Sequence, residues 1–221
     1  MALSSPKGIL FDLDGTLIDS LSMTFDAFNH GVTRFGGMAL TPMEISAHFG
    51  PGEDKIFEKL VGPEKAPAAY LASIEYTNAN LHRVPLHDGI AELLENLRRT
   101  KIPLAIVTGR SWSTTEILLK HHGLLGAFKT IIANDHVPRP KPFPDGVKLA
   151  SDHLNTTPEH TWFIGDSPVD MLAARSAGSL GIAALWDVTA DRERIAVGEP
   201  GFWAKEPRDI VGLLKETSWE N

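Results

Sequence analysis

The chain has 221 residues, 43% hydrophobic and 22% charged, and its 21 basic against 28 acidic residues leave a formal net charge of −7. That length allows one substantial domain or a domain with an insert, and the composition suits a globular fold. The acidic balance argues against a nucleic-acid binder, the lack of cysteine excludes disulfides and thiolate chemistry, and no apolar run approaches the roughly 20 residues of a membrane span.

The first residues, MALSSPKG, lack the parts of a signal peptide, so a soluble cytoplasmic protein is expected. A short apolar run at 8–11 reads as a buried strand and ends in Asp12-Leu13-Asp14. Residues 20–84 then break the β pattern. They offer only helical stretches (21–34, 42–48, 53–60 and 64–82), punctuated by Gly-Gly at 36–37, FGPGE at 49–53 and VGPE at 61–64. The blander alternative for this segment is a longer than usual first crossover. From residue 88 onward strands and helices alternate. Strand-like runs at 103–107, 130–133, 161–164 and 181–185, and a weaker one at 201–204, follow or precede helical patterns at 88–100, 113–122, 145–154, 168–177 and 207–214. This order predicts a doubly wound, Rossmann-like parallel α/β sheet with a small all-helical cap inserted after strand 1. The expected division is a core of 1–19 and 85–221 and a cap of 20–84.

Ligands of open α/β sheets bind beyond the carboxyl ends of the strands. There the sequence puts Asp12 and Asp14, then Thr108-Gly109-Arg110, then Lys141 within RPKPFPD, then Asp166 with Asp170 four residues on. Each has an ordinary structural alternative. Thr108 and Asp166 could cap helices, Asp170 could complement a helix dipole, and Lys141 could be a solvated loop cation. Four such coincidences at one sheet edge are less economical than one site. Strand alternation points Asp12 and Asp14 the same way. Their mutual repulsion, with Asp166 and Asp170 nearby, suits a hard divalent cation such as Mg²⁺. Lys141, the Thr108 hydroxyl and adjacent backbone N–H groups suit an anion beside it, which together makes a phosphoryl-transfer kit.

DLDGTLID, VTGR, RPKPFPD and GDSPVDMLAARSAG resemble, in order and spacing, the four motifs of the haloacid dehalogenase-like (HAD) superfamily, over about residues 7–186. The helical insert looks like the C1 cap of the phosphoglycolate phosphatase and β-phosphoglucomutase branch. The resemblance implies a Mg²⁺-dependent phosphatase that hydrolyses a small phosphomonoester, phosphoglycolate-like or a sugar phosphate, through an aspartyl phosphate, with no nucleic-acid or membrane partner, as a monomer or homodimer. Asp12 would attack phosphorus, and Asp14 would protonate the leaving oxygen and then activate water. Thr108, Gly109 and Lys141 would bind phosphate, and Mg²⁺ would sit on Asp12, the Asp14 carbonyl and Asp166, with Asp170 as a further or supporting ligand. Dehalogenases of the family lack the second aspartate, so Asp14 favours phosphoryl chemistry. A phosphomutase is the alternative, weakened because Gly52 stands where those mutases carry a cap arginine. A cap lysine acting as in phosphonate-cleaving members, or a receiver-like phospho-acceptor module, fits less well. Substrate choice is expected from the cap loop HFGPGED at 48–54, with His48, Lys55 and Arg34 as candidate contacts.

Overall fold

The computed structural model describes residues 4–218. The outermost residues of the expected core range, and part of the MALSSPKG segment, lie outside the described residues. Six strands, β1 (Gly8–Phe11), β2 (Leu104–Val107), β3 (Thr130–Ile132), β4 (Thr161–Gly165), β5 (Leu180–Ala184) and β6 (Phe202–Ala204), form one sheet. Their order is β3-β2-β1-β4-β5-β6, and every neighbouring pair is parallel. Because both faces are covered, the strands are apolar throughout instead of alternating with polar residues. Along β1 the pleat divides the side chains between two cores. Ile9 and Phe11 join Leu94 and Leu97 of α5 (Ile90–Thr100) and Ile210 of α10 (Arg208–Ser218). Leu10 joins Val147 and Ala150 of α7 (Asp145–His153) and Ala173 and Ala174 of α8 (Pro168–Ala177). The chain moves outward in opposite directions from β1, so the crevice at its carboxyl end is a topological switch point.

Between β1 and β2 the chain forms α1 (Leu21–Arg34), α2 (Pro42–Ser46), α3 (Glu53–Val61) and α4 (Ala66–Ala79), ahead of α5. These helices carry a hydrophobic cluster of their own, with Phe28, Val32, Ile45, Ile56, Phe57, Ala66 and Ala69, in which the Phe28 and Phe57 rings stack at 5.1 Å. The close approach of α1 to α4 depends on Gly31, where a Cβ would come within 2.5 Å of the Ala69 carbonyl. The result is the expected helical cap after strand 1. Its two connections run side by side at the end of β1: the Asp19 N–H donates to the Pro85 carbonyl (3.0 Å) and the His87 N–H to that of Leu17 (3.1 Å).

Some boundaries differ from the periodicity. Helix α4 stops at Ala79, where the Asn80 side chain donates to the Tyr76 carbonyl, and a separate 3-10 turn follows at Leu81–Arg83. The short helix α9 (Arg192–Ala196) has no counterpart in the sequence reading. It is one and a half turns long, too short to show a period, and is started by Asp191 accepting from the N–H groups of Glu193 and Arg194. The remaining helix, α6 (Trp112–His121), follows β2. Among the described residues no helix is long and apolar enough to cross a membrane.

Candidate active site

The carboxyl ends of β1, β2 and β4 and the loop ahead of α7 converge. Asp12 follows β1, its N–H donating to the Ile164 carbonyl (2.9 Å), which holds its backbone in the sheet. Asp166 follows β4, and Asp170 lies in the first turn of α8. One carboxylate oxygen from each of Asp12, Asp166 and Asp170 lies within 4.8 Å of the others. Lys141 Nζ reaches into this cluster, 2.8 Å from Asp12 Oδ1 and 2.6 Å from Asp170 Oδ1. Both contacts are charge-assisted, and the one to Asp12 is the less well aligned.

Charge is unbalanced here. Burial, then the charge of Asp170, pushes the Asp12 carboxyl up to about 7 against the opposing pull of Lys141. Burial and the charges of Asp12 and Asp170 likewise raise Asp166 well above its ordinary range. Burial works against the Lys141 ammonium too, but the two aspartates more than offset it and hold its proton tightly. A hard divalent cation fits this donor set: three carboxylates at one point, with more negative charge than one lysine can offset. The opposite wall is backbone. Gly15 adopts φ +78°, and a side chain there would run into the Asp166 carboxylate.

Asp14 faces a different way. Its carboxylate takes a bidentate bond from Arg110, Nη2 to Oδ1 at 2.7 Å and Nε to Oδ2 at 3.1 Å, and a further bond from the Ser20 hydroxyl. Burial would raise its pKa, but Arg110 and Ser20 outweigh that and hold the carboxyl below its usual value. The Asp14 side chain is therefore not part of the three-carboxylate cluster. Thr108 is buried at the end of β2, its hydroxyl accepting from the Arg110 N–H (3.2 Å). Gly109 lies beside the lysine, since a Cβ there would be 4.0 Å from Lys141 Cε.

The helix caps divide the ordinary alternatives. Ser111, not Thr108, precedes α6, and Ser167, not Asp166, precedes α8. Asp170 does both jobs: it closes a capping box, accepting from the Ser167 N–H (3.0 Å) and hydroxyl (2.5 Å), while its other oxygen meets Lys141.

Two residues without an assigned part in the sequence reading complete the arrangement. Arg110 is 5% exposed and Glu53, from the first turn of α3, is 8% exposed. Glu53 Oε1 lies 3.6 Å from Arg110 Nη1, and its Oε2 accepts from Thr114 of α6 (3.0 Å) and Tyr70 of α4 (3.1 Å). Arg110 also donates to Thr24 of α1 at 2.6 Å. Cap and core thus meet through a buried polar network centred on one guanidinium. A signal for Glu53 was present: Glu53, Ile56, Phe57 and Leu60 follow the i, i+3, i+4, i+7 spacing of one helix face, so the acid falls on the apolar stripe of α3. Of the expected cap contacts, Arg34 lies outside, 3.8 Å from Glu75. Lys55 is likewise on the surface, 2.8 Å from Glu58. His48 is half-buried in the loop before α3.

Residues 9–184 match the family of haloacid dehalogenase-like hydrolases, and the chain belongs to it. Curated relatives include the pyrophosphatase PpaX of Anoxybacillus flavithermus, 29% identical over 211 residues, covering 95% of this chain and 97% of that protein. PpaX of Oceanobacillus iheyensis is 28% identical over 220 residues, covering 96% and 99%. Among solved structures, a predicted phosphoglycolate phosphatase from Haemophilus somnus superposes with a TM-score of 0.82 at 24% identity, covering 96% of this chain and 99% of that one. CbbY from Rhodobacter sphaeroides in complex with xylulose-(1,5)bisphosphate superposes with a TM-score of 0.82 at 25% identity, covering 94% and 99%.

Proposed function

We propose that this HAD-like phosphatase is Mg²⁺-dependent and hydrolyses a small phosphomonoester through an aspartyl phosphate on Asp12, with residues 20–84 as its cap domain and 1–19 with 85–221 as its core. The observation that carries the reading is the meeting of Asp12, Asp166, Asp170 and Lys141 at the switch point of the sheet. Asp12, Asp166 and the backbone of Asp14 would hold Mg²⁺, supported by Asp170. When bound, the ion supplies positive charge for the transferring phosphoryl group.

The residues of the chain divide the remaining work. The Asp12 carboxylate attacks phosphorus, the ester P–O bond breaks, and the leaving oxygen takes a proton from Asp14, which must first bind one against the hold of Arg110. Asp14, now a carboxylate paired with Arg110, removes a proton from the water that cleaves the acyl phosphate. Lys141 neutralises the phosphoryl oxygens, while Thr108 and the Gly109 backbone orient them. Cap closure keeps other water away from the intermediate. The phosphoglycolate and sugar-bisphosphate names among the structural relatives, and the pyrophosphatase name among the curated ones, support a small phosphoryl donor. The test is release of phosphate from a generic aryl phosphate with and without Mg²⁺. Asp12→Asn is expected to remove turnover by at least about a thousandfold, as loss of a nucleophile does. Retained Mg²⁺-dependent turnover in that variant would defeat the assignment.

A further inference from the structure

Resting on the phosphatase reading, we propose that Glu53 is a specificity-determining residue that selects against phosphate esters whose leaving group bears a second anionic group. The leaving oxygen must lie beside Asp14, so the surroundings of Asp14 are those of the leaving group. Arg110 supplies the positive charge there; its Nε and Nη2 are engaged by both Asp14 oxygens and by Thr24, and its Nη1 faces Glu53. Two buried carboxylates thus face one guanidinium.

The active-site lysine and three cap cations that could redress this are committed elsewhere, which leaves His48 of the same cap loop. Lys141 is paired with Asp12 and Asp170. Lys55 pairs with Glu58, Arg34 lies toward Glu75, and Lys65 holds the Phe35 carbonyl. Gly52, directly before Glu53, offers no side chain. The Tyr70 hydroxyl that donates to Glu53 is itself pushed up to about 12 by burial and by Glu53, so it stays a neutral donor. A carboxylate or second phosphate on the leaving group would add a like charge in a low-dielectric space, where repulsion is many times that in water. The hydroxyls of a sugar or polyol can instead donate to these carboxylates. The substrate class is therefore a monophosphate of a neutral polyol or sugar.

Glycerol 3-phosphate and 3-phosphoglycerate form a matched pair, with the same chain length and a hydroxymethyl in place of a carboxylate. The experiment compares kcat/KM for phosphate release from each, with inorganic pyrophosphate as a second anionic probe. The wild type should favour glycerol 3-phosphate by at least about tenfold, and Glu53→Gln should narrow that ratio by about tenfold by raising turnover of the anionic probes. Gly52→Arg should shift the ratio the same way: the backbone there (φ −60°, ψ 155°) suits a non-glycine residue, and the Asp54 carboxylate that a Cβ would meet at 2.7 Å is a side-chain end that can turn aside. A merely structural role for Glu53 would lower both substrates together and leave the ratio unchanged. That result, or a wild-type preference for the anionic members, overturns the proposal. Release of phosphate from no ester would instead overturn the phosphatase reading on which it stands.

Discussion

Replacing Arg110 with methionine tests the buried network that joins cap to core. The side chains of Arg110, Asp14 and Glu53 are 4%, 18% and 10% exposed, so the variant leaves two carboxylates buried without their counter-charge. Breaking a buried pair in this way costs about 3–5 kcal/mol. For a chain of this size that is a fall in Tm of about 6–20 °C. The sign with pH follows from the carboxyls. In the wild type Asp14 is held below its ordinary 3.8, so it stabilises the fold above that pH. Without Arg110 burial is opposed only by the Ser20 hydroxyl and the charge of Lys141, so the folded pKa rises and the penalty grows with pH. Glu53 is already raised above its ordinary 4.5, because burial outweighs Arg110, so it is a net burden in the wild type. Glu53→Gln alone should therefore change stability by less than about 1 kcal/mol, and in the Arg110→Met background it should recover about 0.5–3 kcal/mol. Urea unfolding of the four proteins at pH 5 and pH 8 measures all of these terms. A loss below about 1 kcal/mol, or a deficit no larger at pH 8 than at pH 5, would show that this network carries no such energy.

Three further outcomes are expected. Mg²⁺ should raise the Tm of the wild type at neutral pH, because burial and the Asp12–Asp166–Asp170 repulsion oppose ionisation without it; Asp166→Asn should lose most of that response in a thermal scan. Gly31→Ala should destabilise by about 1–3 kcal/mol through its clash with the Ala69 carbonyl and Phe57, and hydrogen exchange should show protection lost in α1 and α4 before the sheet. Burial would raise the Asp187 carboxyl, but the nearby His87 ring (3.3 Å) and the bonds from Thr189 hold it below its ordinary 3.8. Its contribution is present above that pH and lost on acidification through it, so Asp187→Asn should cost about 1–3 kcal/mol at pH 7 and much less near pH 3 in acid unfolding.

The convergence of Asp12, Asp166, Asp170 and Lys141 was legible because each directly follows a strand or sits in a short motif. Asp12, Asp166 and Asp170 needed only the rule that ligands gather at strand ends and the preference of hard cations for carboxylates. Lys141 was harder to read, since a lysine between prolines looks solvated, and only the sheet order brings its loop back to Asp12. The alternation of strands and helices marked the parallel sheet, including the weaker run at 201–204 that forms β6, but α9 has too few residues for a period to register. Arg110 and Glu53 were missed for another reason. Their meeting depends on how the cap helices lie over the sheet, a tertiary fact with no local pattern, and the acid on the apolar face of α3 was its only trace.

The two charge clusters at the end of β1 differ in what completes them. Asp14, Arg110 and Glu53 are joined by side chains of the chain itself, with Ser20, Thr24, Tyr70 and Thr114 filling the remaining hydrogen bonds. Asp12, Asp166 and Asp170 hold more negative charge than Lys141 can balance, and the raised Asp12 and Asp166 carboxyls are the consequence. The first cluster therefore fixes cap to core without a ligand, whereas the second gains most from a cation. Asp14 lies at the boundary, two residues from Asp12 in the chain yet bound to the arginine that faces the cap. Because that arginine also meets Glu53 and Thr24 of the cap helices, the setting of the Asp14 side chain is tied to how the cap lies on the core.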